Sequence, residues 1–587
     1  MRKQHNKTGR SKRKPPSRQG VIIVVTGFTL IAMFAFLALS VDTGRIMLTE
    51  TQMQNGVDAA SLAAAQEITA AVYVAGQGQG PANIDANSIA VESARAMAAA
   101  VAEANGVYID PATDVRFGKR TFDSDTGTWP IAWDESPFNV VQVVARRTGS
   151  DAAQPDGEFP LAFGWAVGRT QVPILTSATA FIEARDLVVV LDYSASMNDD
   201  SSLRSGLGMS QAEQSLDAMW DTLEASEVTW PGKNRKKFRN KFGKITSYSG
   251  IYVNSSDTDY IFNFLELDSE NNSGKLKWPY PQAGRDSQGN PNPWPSHSDS
   301  GQMWKDYIYY VKNLSGSYNR KYGFRTLMDY MQERRYGRVH SEDLWRSPHY
   351  PFHAIKEGSS LFLNFLTDLD FGDEVGLVSY GAYAVQEKTH YDGEVDIDIT
   401  EDPITDDYAT IDTIQRRHQA GDYDGWTGMG YGILKGRELL IGDANDPNDD
   451  GFARYGARPT MIIMTDGQTN QGPSGWSMPA GFDWAEWTDY DGDGVADYST
   501  SDLKKQYSFW EASEAAKRGI TLHTMAVGEG ADRDLMQAIA FAGGGIYIDV
   551  PGGATVAAME SQLMEAFRNI ASQVPPAKLV YELSAKP

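Results

Sequence analysis

An α/β chain wound around a parallel sheet is predicted for residues 185–572, and three observations carry that prediction. Residues 187–191 read Leu-Val-Val-Val-Leu and stop abruptly at Asp192; a run apolar at every position fits a strand buried on both faces. Met461-Ile-Ile-Met464 behaves alike and runs into Thr465-Asp466-Gly467. Strand-like and helix-like stretches then alternate, the pattern of parallel strands joined by crossover helices in a doubly wound, Rossmann-like sheet. Such sheets bind ligands beyond the carboxyl ends of their strands, where Asp192 and Asp466 both fall.

The remaining elements follow in order. The amphipathic stretch His353–Leu369 predicts a helix leading into a second parallel strand, Asp373–Ser379. Val395–Thr400 alternates apolar and acidic residues and fits a strand at the sheet edge. Tyr431–Leu440 and Ser508–Arg518 read as helices, the second stopped by Gly519. Ile520–Gly528 is the next strand, Asp534–Phe541 a helix, Gly545–Val550 the last strand and Glu560–Ser572 the closing helix. Upstream, Thr43–Ala75 and Asn87–Asn105 are rich in alanine, the best helix former. Val115–Phe122, Asn139–Arg146 and Gln171–Glu183 read as strands of a small α+β module.

Val21–Val41 is uncharged and strongly apolar, long enough to cross a bilayer as one helix. Arg2, Lys3, Lys7, Arg10, Lys12, Arg13, Lys14 and Arg18 precede it without an acid among them. The positive-inside bias therefore places the N-terminus in the cytoplasm and the body in the periplasm or outside the cell, anchored in the inner (cytoplasmic) membrane. Ala38-Leu39-Ser40 would serve as a signal cleavage site, but the run is long for a signal peptide and an intact anchor is expected. Without the basic tail the net charge falls from −24 to −32, which disfavours nucleic acid as a partner. There is no cysteine, so disulfides, thiolate zinc sites and thiol nucleophiles are excluded.

Asp192-Tyr-Ser194-Ala-Ser196 places a carboxylate and two hydroxyls at alternate positions after a strand, and oxygen donors are what a hard dication takes. Thr427 lies in Gly425-Trp426-Thr427-Gly428, and Asp466 ends the second apolar run. Together these motifs resemble the von Willebrand factor A family and its metal-ion-dependent adhesion site (MIDAS), with D-x-S-x-S, a Thr and a distal Asp in this chain order. The resemblance implies that Ser194, Ser196 and Thr427 touch a Mg2+ ion (or Mn2+ or Ca2+) directly and that Asp192 and Asp466 act mainly through bound water. Trp426 stands where the family usually has a small residue.

Gly20 before the apolar run, Val41-Asp42-Thr43-Gly44 after it, and Gln54 through Asp58-Ala-Ala-Ser-Leu-Ala-Ala-Ala-Gln66 resemble the TadE/TadG-like group of tight-adherence (Flp) pilus assembly proteins. Larger members of that group carry a von Willebrand A domain behind this module. Val25 occupies the position where processed pseudopilins have a Glu, so no prepilin-type cleavage is expected. The expected layout is a basic cytoplasmic tail (1–20), a transmembrane helix (21–41), a TadE/TadG-like module (42–184), a von Willebrand A domain (185–572) and a C-terminal tail (573–587). Within the A domain, an insertion is expected at about 199–348 and acidic loop insertions at about 441–458 and 470–506.

The large insertion holds Trp220, Trp230, Trp278, Trp294, Trp304 and Trp345, besides Tyr307, Tyr309, Tyr310 and a loop-like stretch, Gly284–Pro295. These aromatics fit either a ligand-binding surface or the insertion's own core. Its basic run, Lys233, Arg235, Lys236, Lys237, Arg239, Lys241 and Lys244, fits a solvated face better than a site for an anionic polymer. Asp489, Asp491, Asp493 and Asp497, with Gly494 at the turn, resemble the D-x-D-x-D-G-x-x-D loops of EF-hand-like and thrombospondin type 3 sites and imply a structural Ca2+. Thr500 stands where an EF-hand ends in Glu. Asp446–Gly451 is a weaker echo, read as a plain acidic turn.

The two resemblances imply a membrane-anchored adhesion or assembly protein of a tight-adherence pilus system, expected to bind a partner's Asp or Glu through the metal. The partner would be a pilus-assembly or envelope component. The alternative is a membrane-tethered scaffold of an envelope complex unrelated to pili. An envelope hydrolase ranks below both: the chain has no G-x-S-x-G, H-E-x-x-H, P-loop or dinucleotide fingerprint. His297, His340, His349 and His353 lack metal-ligand spacing and read as surface or packing residues.

Overall fold

The computed structural model describes residues 19–76, 86–204, 209–225, 241–281, 297–333, 344–392, 395–446, 448–551, 556–571, 573 and 575–580. Helix α1 (Gln19–Gly76) runs unbroken and changes character along its length. Its first part is apolar all round, with Ile22, Phe28, Ile31, Phe34 and Phe36 exposed on every side, as a bilayer span requires. Beyond residue 50 the apolar positions narrow to a stripe: Met53, Val57, Ala60 and Ala64 pack against Ala94, Ala98 and Ala102 of α2 (Ala86–Ala104). Alanine on both partners lets the two backbones approach closely.

A five-stranded antiparallel sheet lies against α1, in the order Lys578–Leu579, Ile174–Phe181, Val140–Arg147, Val115–Arg120, Ile131–Trp133. The stretch expected as one strand over Gln171–Glu183 breaks at Pro173. Gln171–Val172 pairs with Phe159–Pro160, and only Ile174–Phe181 joins the main sheet. Proline has no N–H for a ladder, so the chain changes sheets there. Lys578–Leu579 comes from the expected C-terminal tail; two residues are too few to leave a periodic signal in sequence.

The second sheet has the order Ala384–Gln386, Glu374–Tyr380, Arg185–Asp192, Arg458–Thr465, Thr521–Val527, Gly544–Val550, parallel throughout except at its first edge. Alternate residues of the central strand serve opposite layers. Leu187, Val189 and Leu191 pack with the helices Phe352–Leu369 and Val556–Ala571. Val188 and Val190 pack with Met429–Ile441, Leu503–Lys517 and Arg533–Ala542. This is the doubly wound α/β arrangement expected for residues 185–572, with its switch point at the end of Arg185–Asp192.

One strand assignment is corrected. Asp396–Asp398 pairs with Thr389–Tyr391 in a separate hairpin, and the sheet edge is taken by Ala384–Gln386. The nearer segment folds back through the short turn after Tyr380 and closes the smaller loop, so it claims the edge first.

The insertion forms its own core. Trp220, Phe242, Trp304, Tyr307 and Tyr310 are buried together, and the Trp220 ring stacks on Phe324 with centroids 3.8 Å apart. Its aromatics are therefore mainly packing residues, although Tyr309 is exposed. Trp230, Trp294, Gly284–Pro295, His340 and the basic run up to Arg239 lie outside the described residues.

Arg454 joins the second sheet to the first module. Arg454 bonds Asp186 at 2.6 Å and Glu374 at 2.8 Å, and its guanidinium lies over Trp129 of the first module. Trp129 Nε1 in turn donates to the Tyr455 carbonyl at 2.8 Å.

Candidate metal centre

The strand Arg185–Asp192 delivers Asp192, fully buried, to the switch point. Its Oδ1 accepts the Ser194 N–H at 2.8 Å, and its Oδ2 accepts the Thr465 hydroxyl at 2.8 Å. The first bond bends the chain back over the strand end; the second ties two neighbouring strands. Ser194 Oγ then lies 3.0 Å from Ser196 Oγ, and Ser196 Oγ donates to Asp466 Oδ1 at 2.7 Å.

Thr427 arrives from a third segment, immediately before the helix Met429–Ile441. Its backbone is held on both sides: its N–H donates to Asn470 Oδ1 at 2.8 Å and its carbonyl accepts the Asn470 N–H at 2.9 Å. A Cβ on Gly467 would stand 3.4 Å from Ser196 Oγ and 3.7 Å from Thr427 Oγ1. Both hydroxyls therefore border the hollow beside Asp466. Trp426, 55% exposed, points to solvent at the rim.

The structure thus brings Asp192, Ser194, Ser196, Thr427 and Asp466 into one cluster. Thr465 and Asn470, which orient the Asp and the Thr, went unnoticed in the sequence. Thr465 could have been found from its place beside Asp466 at a strand end; Asn470 has no such signal.

Burial raises the Asp192 carboxyl above its ordinary range. Asp466 is raised well above it, by burial first and by the charge of Asp192 second. Nearby Asp200 is pushed up to about 6 by burial and by Glu529. Two ionised carboxylates so close are stable only with a proton or a cation between them. Three hydroxyls and two carboxylates, all oxygen, match the donor preference of a hard dication.

Behind the loop lies a second polar cluster. Tyr193 packs edge-on against His418 and Tyr423. His418 is 3.2 Å from Asp422 and 3.4 Å from Glu387. Burial opposes its charge, but the Glu387 and Asp422 carboxylates outweigh it and hold His418 up at about 9. His349 is buried with Nδ1 2.8 Å from the Ser347 carbonyl, a packing role.

The Asp489 loop is built differently. Carboxylate oxygens of Asp489, Asp491 and Asp493 lie within 4.8 Å of one another. Asp497 stands outside that group, and its Oδ2 accepts the Tyr490 N–H at 2.6 Å, closing the base of the loop. Asp489 accepts N–H groups from Gly492, Asp493 and Gly494 at 2.7, 3.0 and 2.8 Å. Gly492 and Gly494 supply the positive φ of the turn. In the Asp446 turn, Asp446 Oδ1 accepts from the backbone and side-chain N–H groups of Asn448.

Residues 20–67 match the profile of the Flp pilus-assembly TadE/G-like family (Tad). The comparison with curated proteins gives no match. Among solved structures, the chain is similar to proximal thread matrix protein 1 from the mussel byssus, at 13% identity and a TM-score of 0.24, over 38% of this chain and 42% of that one. A second structure of that protein, with a zinc-occupied MIDAS motif, aligns over 68% of this chain and 99% of that one at 11% identity and a TM-score of 0.24. The von Willebrand domain of the type V pili tip protein Mfa5 from Porphyromonas gingivalis aligns over 37% of this chain and 88% of that one, at 12% identity and a TM-score of 0.23. The chain thus spans less than half the length of the first of these, and likeness at this level bears on neither ligand nor partner.

Proposed function

We propose that this chain is a membrane-anchored von Willebrand A protein of a tight-adherence (Flp-type) pilus system, acting in adhesion or assembly by holding a partner's carboxylate through a divalent cation. The observation that carries the reading is the convergence of Asp192, Ser194, Ser196, Thr427 and Asp466 from separate segments at one switch point. The Tad match over residues 20–67 and the apolar start of α1 support the pilus and single-pass membrane setting. Ser194, Ser196 and Thr427 would ligate the ion, with Asp192 and Asp466 supplying charge. The ion would contribute a Lewis-acidic position left open for an Asp or Glu of the partner. The role is one of binding rather than catalysis, with the body on the outer side of the cytoplasmic membrane.

The test is capture of pilus or envelope components by the full chain, in Mg2+ and in chelator, for wild type and Asp192→Ala. Capture that requires Mg2+ and Asp192 supports the reading. Equal capture by Asp192→Ala in Mg2+ refutes it.

A further inference from the structure

Asp42 is the first charged residue after the apolar run, and it is buried. Its Oδ1 accepts the Ala162 N–H at 2.8 Å and its Oδ2 the Phe163 N–H at 2.9 Å. A loop 120 positions away in the chain is thereby fixed to α1 at the level where the apolar run ends. The run is about the length that crosses the hydrocarbon core, so this level is that of the headgroups.

The loop is shaped to present its apolar side chains. Gly164–Val167 forms one tight helical turn, closed by Gly168 in the left-handed region at φ +77°. Trp165 is left 69% exposed and Phe163 42% exposed. On α1 itself Met47 and Leu48 are 63% and 70% exposed, about 7–9 Å further along the axis at 1.5 Å per residue. The exposed apolar surface therefore does not stop at Val41 but continues from the run onto the base of the module.

The charge of this surface selects its occupant. Residues 159–170 contain Arg169 and no acid, in a chain of net charge −24. Arg45 and Arg147 flank the loop, their guanidiniums 5.1 and 5.5 Å from the Phe159 ring centre. Tryptophan beside arginine is the composition that lipid headgroups favour, the indole taking an apolar side and a hydrogen-bonding side.

We propose that the loop Leu161–Arg169 is a second membrane contact, seated in the headgroup layer of the bilayer that α1 crosses, with Trp165 and Phe163 as anchors and Arg169 toward anionic headgroups. The proposal rests on reading α1 as a membrane span. A single helix alone leaves the body free to swing about its exit point. The second contact, locked to the helix by Asp42, holds the body at a fixed tilt.

The chain has no cysteine, so a single introduced thiol gives a unique label. Thr170→Cys, Leu30→Cys and Asp125→Cys place it beside the loop, inside the apolar run, and on a turn at the far end of the same module. Each full-length protein is labelled with an environment-sensitive fluorophore and placed in nanodiscs of phosphatidylcholine and phosphatidylglycerol, some brominated high in the acyl chain. The label at 170 should be quenched at least twofold more than the label at 125, and adding Trp165→Gln should remove most of that excess. If 170 behaves like 125 while 30 is quenched, α1 spans the membrane and the loop does not touch it. Quenching at 170 that Trp165→Gln leaves unchanged would overturn the anchoring role of the indole. If 30 is not quenched either, the membrane span itself falls.

Discussion

Asp192 and Asp466 lie buried at the ends of parallel strands, whereas Asp489, Asp491 and Asp493 sit on one continuous turn near the surface. In the first cluster the carboxylates come from distant parts of the chain and each accepts a hydroxyl from the other's segment, Asp466 from Ser196 and Asp192 from Thr465. In the second, Asp489 is capped by backbone N–H groups of its own loop. Burial changes the consequence of an uncompensated charge. A buried pair without a cation must bind a proton or destabilise the fold, while an exposed turn disperses its charge into water and its own amides. Loss of metal should therefore reach function and global stability at the strand ends, and only local order at the turn.

The largest expected effect is on partner capture. Asp192→Ala removes a charge and also frees the Ser194 N–H and the Thr465 hydroxyl. It should weaken Mg2+-dependent capture by more than the roughly 10–100-fold that loss of an outer-shell partner costs a metal site. Asp491→Ala should leave capture within about twofold of wild type in the same assay. Equal losses would erase the distinction between the two sites.

A second difference is in pH dependence. Burial raises both strand-end carboxyls, so the folded state keeps protons that the unfolded state has released. The stability they contribute is fully present below the ordinary carboxylate pKa of about 4 and is lost as pH rises through their raised folded values. Metal-free protein should thus lose thermal midpoint as pH rises above about 4. Saturating Mg2+ should flatten that slope by holding the charged pair, and Asp466→Asn should flatten it without metal. A slope unaffected by either would show that the pair does not govern stability.

The smallest effects belong to the turn. Calcium should slow limited proteolysis near Asp493, and Asp491→Ala should abolish that protection. Asp497→Ala should reduce it less, since Asp497 closes the loop base through the Tyr490 N–H rather than joining the carboxylate group. If Asp497→Ala proves the more damaging, all four carboxylates act together as the spacing first suggested.

The sequence announced the features that local pattern controls. A strand apolar at every position ending in Asp192 needs no partner to be recognised, and neither does the helix-length run of Val21–Val41. What it withheld depends on contacts between distant segments. Nothing near Arg454 marks it as the partner of Asp186, and nothing near Asn470 marks it as the clamp of Thr427. Val395–Thr400 had the right alternation for an edge strand, but the closer segment Ala384–Gln386 took the place. Trp304 and Tyr307 were legible as aromatic yet not as buried, because burial was settled by a core that the insertion builds for itself.

The central claim is that the strand-end hydroxyls and carboxylates hold a divalent cation. Calorimetric titration of Mg2+ into the full chain, beside Thr427→Val, tests it most directly. That substitution removes the Oγ1 donor and leaves the backbone bonds to Asn470 in place. Wild type should show a site whose affinity falls at least about tenfold in the variant, and Mg2+ at 100 times the wild-type Kd should add about 2.7 kcal/mol of stability to wild type and no more than about 1.4 kcal/mol to the variant. Identical Mg2+ isotherms for the two proteins, or no heat from either, would contradict the account.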